Sequence, residues 1–212
     1  MKAFHMQDQE VIQLFIDHGA DANATFRHVE DGRRHNRCRQ YPVLYKACQS
    51  GLLKIVQSLL LKNADPNGCG FSEYESEEGQ VELHRSYPLH VLCRNVGNQQ
   101  PLDEEFVTTL QLLLKCGADI NKYEEDVKER GREDDCNISK TPLHIASENN
   151  NEELIALLIK HGADVSIPMV KNGRKISCNN LKNGSLSGVV EEEKPKEESL
   201  YQRMIKSKPR KK

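Results

Sequence analysis

Four times along the chain an aliphatic run closes on an alanine-aspartate pair with a turn-forming residue just before it. The runs are V-I-Q-L-F-I-D-H-G-A-D (Val11 to Asp21), I-V-Q-S-L-L-L-K-N-A-D (Ile55 to Asp65), T-L-Q-L-L-L-K-C-G-A-D (Thr109 to Asp119) and L-I-A-L-L-I-K-H-G-A-D (Leu154 to Asp164). In the last of them Leu154, Ile155, Leu158 and Ile159 form an apolar stripe on a helix, and Gly162 stands where a left-handed residue ends it. Shorter segments precede the last three runs: P-V-L-Y-K-A-C from Pro42, Y-P-L-H-V-L-C from Tyr87 and T-P-L-H-I-A-S from Thr141. Thr141 can cap a helix, Pro142 suits its first position, and Leu143 and Ala146 share one face. Each unit is thus a pair of short helices with one oily side. A pair of about 30 residues cannot bury that side alone, so the copies must stack on one another.

At these residues the chain resembles the ankyrin repeat family, whose repeats open on threonine-proline-leucine-histidine and close on glycine-alanine-aspartate. The resemblance implies an all-α fold, a solenoid of about four helical hairpins over residues 1–167 with long finger loops. Its approximate repeats are 1–40, 41–86, 87–140 and 141–167. It implies that the array binds a protein partner through its concave face and fingers, and that His90 and His144 make structural hydrogen bonds within their turns. It also makes Asn67 and Asn121 candidates for an intracellular asparaginyl hydroxylase, since each follows an aspartate by two residues and a leucine by eight.

The copies depart from the family pattern at particular places. Aligned on Gly19 and Gly162, Met1 falls opposite His144, so the first repeat lacks its opening motif and reads as a truncated start. From the asparagine after each alanine-aspartate to the next first helix there are 19 residues (Asn23 to Pro42), then 20 (Asn67 to Tyr87) and 20 (Asn121 to Thr141). The family's gap is about eight, and so regular an excess suggests an enlarged hairpin loop in each finger. The third copy also has nine extra residues between its helices, around Arg94 to Glu105, where Gly97, Asn98 and Pro101 stop one helix before a longer one begins. From Lys171 onward there are twelve Lys and Arg against five Glu, a net of +7 that leaves −9 on the rest of a chain of net charge −2. Residues 168–212 therefore read as a basic, low-complexity and largely disordered tail.

Composition narrows the function classes. The chain has 212 residues, 37% of them apolar, 5% aromatic and none Trp, enough for one elongated core of small aliphatic side chains. No window reaches the roughly 18 consecutive apolar residues of a membrane span, and the start lacks a signal-peptide pattern. The seven cysteines form no C-x-x-C pair and read as reduced thiols, with no metal site and no cofactor expected. No G-x-x-x-x-G-K-S/T, H-E-x-x-H or G-x-S-x-G motif occurs, so no catalytic residue is assigned and the chain is not expected to be an enzyme.

The expected function is a protein-interaction scaffold or adaptor, monomeric and cytoplasmic, without membrane contact. The fingers carry the candidate partner-binding residues: Arg33, Arg34 and Arg37 at a basic end, and Glu77, Glu78, Glu124 and Glu125 farther along. Tyr41, Phe71, Tyr74 and Tyr123 are the aromatic anchors. The alternative is a nuclear regulator that uses the first finger and the basic end K-S-K-P-R-K-K (Lys206 to Lys212) to contact a transcription factor or nucleic acid. A net negative charge and the lack of aromatic residues between the arginines disfavour a nucleic-acid surface.

Overall fold

The computed structural model describes residues 9–32, 35–98, 101–129, 136–176 and 190–191. Among the described residues seven helices follow the repeat spacing: α1 (Gln9–Asp17), α2 (Val43–Gln49), α3 (Leu53–Leu61), α4 (Pro88–Val96), α5 (Glu104–Lys115), α6 (Pro142–Glu148) and α7 (Glu152–Lys160). The first helices α2, α4 and α6 stack in one layer, and α1, α3 and α5 in a second. Gly19, Gly117 and Gly162 adopt φ between 81° and 96° where their helices end, and Asn63 takes the same role at φ 62°.

The core lies between the layers. Leu44, Ala47, Ile55, Leu59, Leu89, Leu110, Leu113, Leu143, Ala146, Leu154 and Leu158 are all buried. Val11 and Phe15 hold the slots that Leu154 and Leu158 fill in the fourth copy, yet they are 38% and 61% exposed. Asparagines stitch the copies together on the finger side. Asn23, Asn67 and Asn121 each accept a hydrogen bond from the aspartate N–H of the next copy, at 2.7, 2.9 and 2.9 Å. Each also donates its amide to a carbonyl at that copy's helix end. The insertion in the third copy is held by the fourth, through Asn151 Nδ2 donating to Gly97 O and Leu102 N–H donating to Glu153.

The all-α expectation is wrong, because the fingers are not loops. They are β-hairpins: β1 (Thr25–Asp31) with β2 (His35–Pro42), β3 (Gly70–Ser76) with β4 (Val81–Ser86), and β5 (Glu124–Glu129) with β6 (Cys136–Lys140). A fourth hairpin, β7 (Met169–Lys171) and β8 (Arg174–Ile176), lies in what was expected to be disordered tail, and the two-residue β9 (Val190–Glu191) pairs with β8. The strands run in chain order and every neighbour is antiparallel, giving one sheet beside the helices and a mixed α/β molecule. The physical reason is spacing. Two strands about 4.8 Å apart advance almost 10 Å per repeat, close to the 8–10 Å between stacked helices, so each hairpin meets the next at hydrogen-bonding distance. Strand propensity contributes little: β5 reads E-E-D-V-K-E and still pairs on both edges.

Of the opening histidines, His144 makes the hydrogen bond within its own turn that the family resemblance implies, whereas His90 bonds outside its turn and its buried Nδ1 has no partner among the described residues. Thr141 N–H donates to His144 Nδ1 at 3.0 Å, and His90 Nε2 donates to Lys122 O at 2.9 Å, tying a first helix to the finger that follows it. Burial is the main force pushing both imidazoles down to about 4, from an ordinary 6.5, so the fold holds them neutral. Unfolded chain then takes up protons before folded chain does. Their contribution is complete above about pH 6.5 and is lost as the pH falls from there toward 4. Urea titrations should show stability declining between pH 7 and 5, and a His144→Asn variant, weaker at pH 7, should show a shallower decline. Leu113→Ala, at a fully buried central interface, should cost about 2 to 5 kcal/mol, whereas Phe15→Ala should stay within about 0.5 kcal/mol of the parent protein. Equal losses in denaturant titrations would contradict this ordering.

Candidate functional site

The antiparallel register sorts the finger side chains onto two faces. One cross-strand row runs Arg37, Tyr74, Glu82, Lys128, and the next runs Arg39, Ser72, His84, Asp126. Farther in, Gly70 pairs with Ser86, and Tyr45 of α2 lies so close that a methyl group at Gly70 would overlap its ring. This face therefore looks toward the first helices. Arg27, Gln40, Phe71, Arg85 and Glu125 form a row on the opposite face, since successive strand residues alternate.

Between the inner face and the helices lies a concavity of about 560 Å³. Arg37, Tyr41, Tyr74, Glu82, His84, Asp126 and Lys128 line its sheet side, and Tyr45, Gln49, Val91, Arg94 and Asn95 line its helix side. Asn95 Nδ2 donates to Cys48 O at 2.6 Å and so locks α4 against the end of α2. Tyr41 stacks on Tyr45 with ring centroids 5.3 Å apart and planes 5° from parallel. Burial, reinforced by Tyr41, raises the Tyr45 phenol far above its ordinary value and keeps it neutral.

At the groove floor a carboxylate ties sheet to helix. Glu124 is 2% exposed and accepts from Arg94 of α4 at 2.6 Å and from the Ser86 hydroxyl at 2.8 Å. Burial alone would lower the Arg94 guanidinium, but Glu124 outweighs it and the net shift is upward. Across β4 and β5, His84 Nδ1 lies 2.5 Å from Asp126, and Lys128 reaches Glu82 at 3.3 Å. Burial works to raise Asp126, but its hydrogen bond with His84 and the nearby cations Arg94 and Lys140 prevail, and its carboxyl sits below the usual range.

The sequence-predicted residues divide accordingly. The groove brings Arg37, Tyr41 and Tyr74 together. Phe71 is on the opposite face, beneath Arg85 at 5.9 Å, and Glu125 is in the same row. Glu77 and Glu78 are exposed in the turn between β3 and β4. Glu124 is inside the structure, and Tyr123 donates its hydroxyl to Pro168 O at 2.6 Å, bracing the fourth hairpin. Asn67 and Asn121 belong to the inter-repeat hydrogen bonds. Arg33, Arg34 and Lys206 to Lys212 lie outside the described residues.

Sequence reasoning missed Tyr45, Arg94, His84, Asp126 and Lys128. The readable signal was period-two alternation, as in V-E-L-H-R-S (Val81 to Ser86), where buried Val81 and Leu83 alternate with groove-facing Glu82 and His84. Among the described residues no group of His, Cys, Asp and Glu is arranged to hold a metal, and no helix is long and apolar enough to cross a membrane.

Removing Arg94 strands the Glu124 carboxylate, so Arg94→Met should cost roughly 2 to 3 kcal/mol. This is below the full cost of breaking a buried pair because the guanidinium side chain is 43% exposed. Adding Glu124→Gln should recover much of that loss in a denaturant double-mutant cycle; additive losses would show that the pair is not coupled.

Comparison with known proteins agrees with the repeat geometry. The ankyrin repeat family model matches residues 140–169, which span β6's last residue, α6, α7 and the first residue of β7. An ankyrin repeat protein of fowlpox virus (strain NVSL) is 28% identical over 179 residues, covering 78% of this chain and 82% of its own length. Ankyrin repeats generally mediate protein–protein interaction, and the family is generally non-enzymatic. With the helices of successive copies stacked in two layers and a family match on the most regular copy, the chain is an ankyrin repeat-containing protein.

Proposed function

We propose that this protein is an interaction module that seats a segment of a protein partner in the groove between its finger sheet and its first helices. The observation that carries the reading is the groove itself, a concavity of about 560 Å³ with exposed and half-buried polar and aromatic side chains over a fixed floor. The floor is held by the Arg94–Glu124 pair and the walls by continuous strand pairing, so the surface is formed before a partner arrives. Preformed surfaces bind without an ordering cost. Tyr74 supplies flat contact area at low entropy cost, and the surrounding charges set orientation and on-rate.

The test is peptide selection from a random display library against the folded array, followed by affinity measurements on variants. Tyr74→Ala should weaken the selected peptides by about fivefold or more, as expected of an aromatic anchor. Glu77→Ala and Glu78→Ala, at the hairpin tip, should leave them unchanged. The opposite pattern would place the binding surface at the finger tips and remove the groove from consideration.

A further inference from the structure

Resting on the groove as the partner surface, we infer that its first-finger end is a carboxylate-recognition site and that the segment it takes is extended and acidic. The argument begins with a charge inventory. Lys128 is matched to Glu82 at 3.3 Å, His84 to Asp126, and Arg94 to Glu124 at 2.6 Å. Arg37 has no such match among the described residues. Its Nε is shielded from water and has no hydrogen-bond partner, an expensive condition for a charged donor that an incoming carboxylate would relieve.

Two further cations face the same end. Lys46 reaches over the Tyr41 ring from α2, with Nζ 5.8 Å from its centroid, and donates only to the neutral Gln49 at 2.8 Å among the described residues. Arg39, one row in from Arg37, has Glu30 no closer than 3.9 Å. Burial first, and the charge of Arg39 second, lower the Lys46 ammonium from its ordinary value, as expected where positive charge is in excess. A guanidinium presents a planar fork that takes a carboxylate through two parallel hydrogen bonds, so Arg37 is suited to hold one side chain in a fixed place.

The register supplies the shape of the ligand. Tyr74 is directly opposite Arg37 on the neighbouring strand, and the same row continues through Glu82 to Lys128. Three steps of about 4.8 Å make a track of about 14 Å, which roughly four residues of extended chain would cover. A carboxylate on Arg37 would leave the rest of such a segment over Tyr74 and the already neutralised pairs beyond it.

The experiment uses the full chain and three fluorescein-labelled decapeptides that alternate threonine with glutamate, glutamine or lysine, read by fluorescence anisotropy. The glutamate peptide should bind, and should bind several-fold more weakly in about 500 mM than in about 50 mM salt. The glutamine peptide should bind roughly tenfold more weakly than the glutamate one. Arg37→Gln should cost the glutamate peptide a similar factor, while Arg27→Gln, on the opposite face, should cost nothing. No binding of the glutamate peptide, equal binding of the glutamine or lysine peptide, or equal effects of Arg37→Gln and Arg27→Gln would overturn the inference. The two readings fail differently. Display-selected peptides that are sensitive to Tyr74→Ala but not acidic would sink the carboxylate site alone, whereas selected peptides indifferent to Tyr74→Ala would sink the groove.

Discussion

The structure depends on a match between two repeat distances. Helices in neighbouring copies stack about 8–10 Å apart, and a pair of β-strands occupies nearly the same distance, so one hairpin per copy keeps step with the helices. Three successive fingers with nearly equal excess length satisfy that condition, and the sheet runs unbroken from β1 to β8. Each strand gains lateral partners from the adjacent copy, which lets charged segments such as β5 pair where a lone hairpin of the same composition would be marginal.

That match also places chemistry. Because the register between fingers is constant from β2 to β5, side chains from three fingers fall into straight rows, and the rows on the face toward the helices become one wall of a groove. The opposite wall comes from α2 and α4, whose relative position is fixed by Asn95 on the Cys48 carbonyl. Arg94 and Glu124 then join wall to wall, and Asn23, Asn67 and Asn121 keep the copies at constant spacing on the finger side. A groove built in this way is distributed over three copies, yet each copy contributes to it from a repeated position.

Much of the helical part was legible in the sequence. The i, i+1, i+4, i+5 stripes gave the second helices and their core residues, because burial of a leucine at Leu113 or Leu158 follows from helical periodicity with little help from context. The fingers were legible in length but not in structure. Their strands carry Glu, Arg, Ser and Gln on both faces, a composition that reads as solvated loop, and what makes them strands is the neighbouring finger. The same gap explains the site. Tyr41 and Tyr74 stood out as aromatic residues in polar segments, whereas Arg94 looked like a helix-end charge and Glu124 like one of an acidic run until the fold brought them together. Glu124 and Glu125 are adjacent in sequence and sit on opposite faces of the sheet, a distinction that charge counting cannot make.

The central claim is that the fingers form one continuous sheet against the first helices, and amide hydrogen exchange tests it most directly. Segments 35–42, 70–76, 81–86 and 124–129 all lie in strands paired on both sides and should exchange at least about a hundredfold more slowly than unstructured peptide, with protection highest in β3 and β4, which carry the longest pairing with neighbours inside the sheet rather than at its edge. Exchange at the unprotected rate in these four segments, while α4 and α5 remain protected, would show the fingers to be independent loops and would contradict both the sheet and the groove it forms.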